Sequence, residues 1–98
     1  RITPAELDGL LAEDAVILID IRNPGEVELG RIPGAVNIPL AQLRNRLGML
    51  PTDKGIVVHC AGGWRSSVAA SLLRAQGFEN VSDLAGGYNA WVDAHAIA

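Results

Sequence analysis

The residues of this chain with the clearest chemical potential lie in one run, residues 59–67, which reads HCAGGWRSS. This run contains Cys60, the only cysteine among 98 residues. A thiolate is a strong nucleophile, and Arg65, five residues later, is suited to anions. Gly62 and Gly63 let the backbone adopt positive φ and approach a sulfur closely. The run therefore predicts a nucleophilic cysteine in a loop of inward-pointing amides.

This loop is predicted to join a strand to a helix. Residues 56–58 are apolar and β-branched, as in a buried strand, and residues 67–76 form a helical pattern that ends at Gly77. The free N–H groups and the positive end of that helix would face Cys60 and favour its thiolate. We therefore expect Cys60 to ionise near neutral pH.

The loop amides and side chains form the rest of the predicted site. Arg65 either binds an anionic donor or caps the loop, and Trp64 either forms the rim or is simply an exposed ring. Ser66 and Ser67 are expected first as helix caps, and the alternative is that one of their hydroxyls reaches the persulfide or donor. His59 points to the opposite side of its strand from Cys60 and is expected to be a hydrogen-bonded core residue. The predicted substrate-binding residues are Ala61, Gly62, Gly63, Trp64, Arg65 and Ser66.

Composition limits the classes of function. The chain has a net charge of −3 and a pI near 5.2, which argues against a nucleic-acid surface. No apolar run is long enough for a membrane helix. His59 and His95 are not spaced as metal ligands usually are, so no metal site is expected. The sequence contains neither a dinucleotide-binding motif nor a phosphate-binding loop, so no cofactor is expected.

The single cysteine and the start of the chain give two further expectations. One cysteine forms no internal disulfide, which favours a reducing compartment and a cytoplasmic location. The chain begins at Arg1 without a methionine, so we expect it to be cut from a longer chain. Its length predicts a single domain over residues 1–98.

Helices and strands alternate along the rest of the sequence. The predicted helices cover residues 4–13, 26–30, 40–47, 67–76 and the stretch from Tyr88, and the predicted strands cover residues 15–19, 35–38, 56–58 and 80–83. Such alternation predicts an α/β fold with a parallel sheet and helices on both faces. Residues 20–22, the Cys60 loop and residues 83–87 all follow strands and should meet at one rim. Asp20 and Arg22 are expected to pair with each other or with Glu26.

Three separated segments carry a resemblance to a known family: DIR at 20–22 with GRIPGAVNIP at 30–39, the cysteine loop, and LAGGYNAW at 84–91. With them the chain resembles a rhodanese (thiosulfate sulfurtransferase) domain along almost its whole length. The resemblance implies a three-layer fold around a mostly parallel sheet of four to five strands. The chain differs from the usual sequence of the family at Arg31, where histidine is usual, and near Val27, where an aromatic residue is usual.

The resemblance also implies a reaction and its partners. Cys60 would take a sulfane sulfur from thiosulfate or a low-molecular-weight persulfide, hold it as a persulfide, and pass it to cyanide or a thiol in a ping-pong cycle. The loop is more similar to rhodanese domains fused to metallo-β-lactamase-like persulfide dioxygenases, which implies a fused or docked sulfur-metabolism enzyme.

Two alternative functions stay open at this point. Cysteine phosphatases and arsenate reductases also hold a thiolate in an amide loop with an arginine, but they place five residues between Cys and Arg, whereas four separate Cys60 from Arg65. The smaller loop favours transfer of a single sulfur. The other alternative is a rhodanese-like docking module without catalysis, and the presence of Cys60 in an open glycine loop argues against it.

Overall fold

A four-stranded parallel sheet forms the centre of the computed structural model, which describes residues 1–96. The spatial order of the strands is β2-β1-β3-β4. Their bounds are β1 Val16–Asp20, β2 Val36–Asn37, β3 Gly55–His59 and β4 Val81–Asp83. Ile2 adds a parallel bridge to Leu84, just beyond β4. The predicted mostly parallel sheet of four to five strands is confirmed.

The helices alternate with these strands. Their bounds are α1 Pro4–Ala12, α2 Pro24–Glu28, α3 Leu40–Leu43, α4 Trp64–Ala75 and α5 Gly87–Ala94, with a 3₁₀ helix over Arg44–Met49. At the start of α1, the Thr3 hydroxyl accepts from the Glu6 amide, and the Glu6 carboxylate accepts from the Thr3 amide. This reciprocal cap, with proline at the next position, fixes the start of α1 as predicted.

The two faces of the sheet are each covered by helices, which makes three layers. On one face, Ile19 and Val58 pack with α3, the 3₁₀ helix and α4. On the other face, Leu18 and Val57 pack with α1 and α5. Because successive strand residues point to opposite faces and both faces are covered, β1 and β3 are apolar almost throughout. The predicted three-layer α/β fold is confirmed.

Three predicted helices have different bounds in the structure. The second helix covers Pro24–Glu28 instead of residues 26–30, because Pro24 takes the first helical position, where its missing N–H is not needed. The third helix ends at Leu43 and continues as the 3₁₀ helix, in which the amide of Leu50 donates to Leu47. The fourth begins at Trp64 instead of residue 67, because Gly63 supplies a left-handed N-cap.

Within residues 1–96, none of the helices is long and apolar enough to cross a lipid bilayer. Residues 97 and 98 lie outside the described part of the chain. The single domain over residues 1–98 stays a prediction.

Candidate active site

Cys60 lies at the carboxyl end of β3 and in front of the first turn of α4. It is the first residue after the strand, and it is only 1% exposed. Gly63 is the N-cap of α4, so the free amides of that helix start three residues after the cysteine. The strand thus fixes the sulfur on the central layer, and the helix directs its positive end toward it.

Gly63 and Ser66 contact the Cys60 sulfur. The amides of Gly63 and Ser66 donate to Sγ at 3.1 and 3.4 Å, and the Ser66 hydroxyl lies 3.6 Å away. Burial raises the pKa of the Cys60 thiol, but the Ser66 hydroxyl and the amides of Ser66, Gly63 and Arg65 outweigh it, so the pKa is lowered. The predicted amide loop around a stabilised thiolate agrees with this geometry.

Ser66 also links the sulfur to the helix cap. Its Oγ is 3.2 Å from the carbonyl oxygen of Gly63, to which it donates. The hydroxyl has one proton, so it either donates to that carbonyl or rotates toward a Cys60 thiolate. The prediction that Ser66 and Ser67 cap the helix is therefore wrong: both lie inside α4, and the Ser67 hydroxyl donates to Trp64 O at 2.8 Å.

Only one of the two loop glycines needs its conformational freedom. Gly63 has φ +106°, which a side chain rarely adopts, and it packs against the backbone of Gly86. Gly62 does not have a positive φ, is exposed, and faces open space. The turn that brings the Gly63 and Ser66 amides to the sulfur therefore depends on Gly63.

The carbonyls of the loop point the other way, toward α5. The amide of Tyr88 donates to Cys60 O at 2.7 Å, and the amide of Asn89 donates to Ala61 O at 3.0 Å. A Cβ on Gly87 would collide with Cys60 O and Ala61 O. The support that Gly87 gives to the loop was not predicted from the sequence.

Arg65 is paired with a carboxylate instead of standing free. Its two terminal nitrogens lie 2.6 and 2.9 Å from the two carboxylate oxygens of Glu26 in α2. The hydrogen bonds from Arg65 lower the pKa of Glu26 to about 2. Glu26 was considered in the sequence only as a partner of Asp20 or Arg22. Because 39 residues separate Glu26 from Arg65, no local spacing signals their contact.

Of the other loop residues, Trp64 is exposed and Ala61 is half-buried. The Trp64 ring is 80% exposed at the first position of α4, beside the opening of the loop. Binding of substrate by the residues from Ala61 to Ser66 stays a prediction.

Asp20 and Arg22 form a buried pair below the rim, one of the two pairings expected from the sequence. The side chains are 1% and 4% exposed, with Arg22 Nη2 2.7 Å from Asp20 Oδ2. Arg22 also donates to Gly30 O at 2.8 Å and lies 4.3 Å above the Tyr88 ring. This pair therefore ties β1 to α5, which supports the cysteine loop.

His59 is fully buried, as predicted. Its Nδ1 lies 3.3 Å from Cys60 O, and its Nε2 lies 3.6 Å from Asp20 Oδ2 without a hydrogen-bond partner. Burial lowers the pKa of His59, against the opposing charge of Asp20. The imidazole contacts the cysteine backbone and not its sulfur, so it has a structural role.

Two other features lie outside this site. A groove lined by Leu11, Val16 and Lys54 opens at the amino ends of β1 and β3, the opposite edge of the sheet from Cys60. Among residues 1–96, no group of three or more His, Cys, Asp or Glu side chains is placed to hold a metal ion.

A model of the rhodanese-like domain family matches residues 3–94 of the chain. The chain is 45% identical over 74 residues to the uncharacterized protein YqhL of Bacillus subtilis, covering 76% of this chain and 59% of that protein. It is 35% identical over 96 residues to thiosulfate sulfurtransferase GlpE of Pseudoalteromonas translucida, with 98% and 91% covered. It is 33% identical over 102 residues to human thiosulfate:glutathione sulfurtransferase, with 90% and 89% covered.

A solved structure agrees with these relatives. The fold matches a human single-domain sulfurtransferase with a TM-score of 0.88 and 31% identity, over 97% of this chain and 96% of that one. The matched family residues include Cys60, its loop and the supporting turn of α5. The chain belongs to the rhodanese-like domain family.

Proposed function

We propose that this protein is a sulfurtransferase that carries a sulfane sulfur on Cys60. The observation that carries the proposal is the pair of amide hydrogen bonds from Gly63 and Ser66 to Sγ. Such bonds favour the anionic form of sulfur over the neutral form. Relatives named thiosulfate sulfurtransferase and thiosulfate:glutathione sulfurtransferase support thiosulfate as donor and a thiol as acceptor.

The first half-reaction loads the cysteine. The Cys60 thiolate attacks the terminal sulfur of thiosulfate, a new S–S bond forms, and the old S–S bond breaks with its electron pair leaving on sulfite. With a low-molecular-weight persulfide as donor, the leaving group is a thiolate. Because Cys60 is 1% exposed, the donor must present a slim terminal sulfur.

The second half-reaction discharges the persulfide. Cyanide or a thiol attacks the outer sulfur, and the electron pair of the S–S bond returns to Cys60 as thiolate. The same amides of Gly63 and Ser66 stabilise this leaving group, so the loop serves both halves of a ping-pong cycle.

The phosphatase alternative is less well supported by the contacts. Both amide donors already contact the cysteine sulfur, and the Arg65 guanidinium is taken up by Glu26. The guanidinium that would grip a phosphate oxyanion is therefore not free. A docking module without catalysis would not need a cysteine with a lowered pKa, so this alternative does not explain the lowered pKa of Cys60.

Steady-state kinetics test the proposal. Thiocyanate production from thiosulfate and cyanide should give parallel double-reciprocal lines and should vanish in Cys60→Ser. If the protein hydrolysed an aryl phosphate in a reaction that depends on Cys60, and formed no thiocyanate, the phosphatase alternative would replace this proposal.

We also propose a reducing compartment, the cytoplasm, because loading requires the free thiol. The expected fusion to a persulfide dioxygenase stays a prediction.

A further inference from the structure

The ion pair between Arg65 and Glu26 is a feature that sulfur transfer as described above does not use. The guanidinium and the carboxylate meet fork to fork, at 2.6 and 2.9 Å, and each side chain is about one-third exposed. This bidentate geometry is the same one with which an arginine would grip an oxyanion such as thiosulfate. Glu26 therefore occupies the face of Arg65 that an oxyanion would use.

Glu26 is fixed in place by its own helix. Its Oε1 accepts a hydrogen bond from the Asn23 amide at 3.2 Å, at the start of α2. The carboxylate is consequently held by the backbone as well as by Arg65, and its pKa of about 2 keeps it charged at neutral pH. It competes for Arg65 as a permanent, positioned anion.

The Arg65 guanidinium, which pairs with Glu26, also interacts with Cys60. Hydrogen bonding to Glu26 raises the pKa of the Arg65 guanidinium, with smaller contributions from Cys60. The nearby Arg22 is likewise paired, with Asp20. An anion that approaches Cys60 therefore meets an Arg65–Glu26 ion pair with no net charge, instead of a free guanidinium.

We propose that Glu26 determines donor specificity by disfavouring dianionic sulfur donors relative to monoanionic ones. A second negative charge on a donor gains little at this site, because Glu26 offsets the attraction of the Arg65 guanidinium. Thiosulfate is a dianion, whereas an alkyl thiosulfonate or an alkyl persulfide carries at most one charge on its reacting group. This inference rests on the proposed sulfur transfer, and it names the class of donor that the site favours.

Two donors that transfer the same sulfur atom to Cys60 but differ in charge isolate the effect of the donor's charge. Thiosulfate loads Cys60 with release of sulfite, and methanethiosulfonate loads it with release of methanesulfinate. In both reactions the thiolate attacks the terminal sulfur, and the electron pair of the broken S–S bond leaves with the oxidised sulfur. Since both use the same thiolate, a change in the cysteine pKa cancels in the ratio of the two loading rate constants.

The test is this ratio, thiosulfate over methanethiosulfonate, measured by single-turnover mass spectrometry. Glu26→Gln keeps an oxygen for the Asn23 amide and removes the charge, and it should raise the ratio roughly 3- to 10-fold, the effect of one partly screened charge. Glu26→Asp keeps the charge and should stay within about twofold of the parent protein. Glu28→Gln removes a charge from an exposed position of α2 and is the matched control, with no expected change.

The outcomes separate this inference from the proposed function. Equal losses with both donors in Glu26→Gln would mean that Glu26 only positions the loop, and would overturn the inference. An equal rise of the ratio in Glu28→Gln would also overturn it, because the effect would then be general charge. If Glu26→Gln does not fold, Arg65→Gln alone leaves the Glu26 carboxylate without its partner and should lower the ratio, and an unchanged ratio would overturn the inference. If neither donor loads the parent protein, the proposed function itself fails.

Discussion

The amide of Tyr88 donates a 2.7 Å hydrogen bond to the carbonyl oxygen of Cys60. The first turn of α5 thus holds the carbonyl side of Cys60, while the first turn of α4 supplies amides to its sulfur. The cysteine peptide is fixed between two helix N-termini, each of which has free N–H groups to satisfy. We therefore expect the reactivity of Cys60 to depend on α5, although the hydrogen bonds of this helix go to the loop carbonyls and not to the sulfur.

Replacement of Gly87 by alanine should damage the loop through this contact. The new Cβ would collide with Cys60 O and Ala61 O, and Gly87 has φ +60°. We expect a loss of about 2–4 kcal/mol in the free energy of unfolding and at least a tenfold loss in the loading rate. Urea unfolding and single-turnover loading measure both.

Gly9→Ala is the matched control. Gly9 lies inside α1 with open space around its Cα, so alanine should stabilise the helix by about 0.5–1 kcal/mol and leave loading unchanged. Normal loading by Gly87→Ala would contradict the role of α5.

Ser66→Ala should make Cys60 less reactive at neutral pH. The Ser66 hydroxyl is the strongest of the hydrogen-bonding contributions that lower the pKa of Cys60, so its removal should raise that pKa. The iodoacetamide rate at pH 7 should fall several-fold, and the pH profile should shift to higher pH. Ser67→Ala, which loses only a bond to Trp64 O, should retain the parent profile. If the pH profile of Ser66→Ala also matched that of the parent protein, the Ser66 hydroxyl would not act on the sulfur.

Arg22→Met should destabilise the protein severely. It leaves the Asp20 carboxylate buried and unpaired and removes the contact with the Tyr88 ring. We expect a loss of about 3–5 kcal/mol in urea unfolding. The same change at the exposed Arg44 should alter stability by less than about 0.5 kcal/mol. Similar effects at the two positions would contradict the assignment of the buried pair.

His95 makes the attachment of α5 to α1 depend on pH. Its Nδ1 contacts Trp91 O at 2.8 Å and its Nε2 contacts Asp8 at 2.7 Å, and these contacts raise the pKa of His95. Because the folded pKa lies above the unfolded value of about 6.5, the stabilisation is fully present below that pH and is lost as pH rises through the folded pKa. His95→Gln should therefore lower the urea midpoint at pH 5.5 more than at pH 9. An equal change at both values would exclude this ion pair as the cause.

The layered fold and the position of Cys60 in a loop of amides were predictable from sequence because their signals are local. The apolar runs of β1 and β3 indicate strands covered on both faces, and the cysteine loop between β3 and a helix indicates an anion-stabilising turn. Helix bounds were less predictable. Ser67 has a side chain that is common at helix N-caps, but Gly63, in a left-handed conformation, is the N-cap of α4. The helix therefore begins at Trp64.

The contacts of the loop with distant segments were not predictable. Glu26 meets Arg65 across 39 residues, and the space beside Gly87 is filled by carbonyls of another element. The pairing of the charged side chains is known only from the folded structure. Arg22 was expected to pair with Asp20 or Glu26, and it pairs with Asp20, whereas Glu26 pairs with Arg65.

The most direct test of the central claim is the intact mass of the reduced protein after incubation with thiosulfate or methanethiosulfonate. The account predicts a gain of one sulfur atom per chain, its absence in Cys60→Ser, and its removal by cyanide with one equivalent of thiocyanate formed. A Cys60 that gains no sulfur from either donor, in a protein that remains folded, would contradict it.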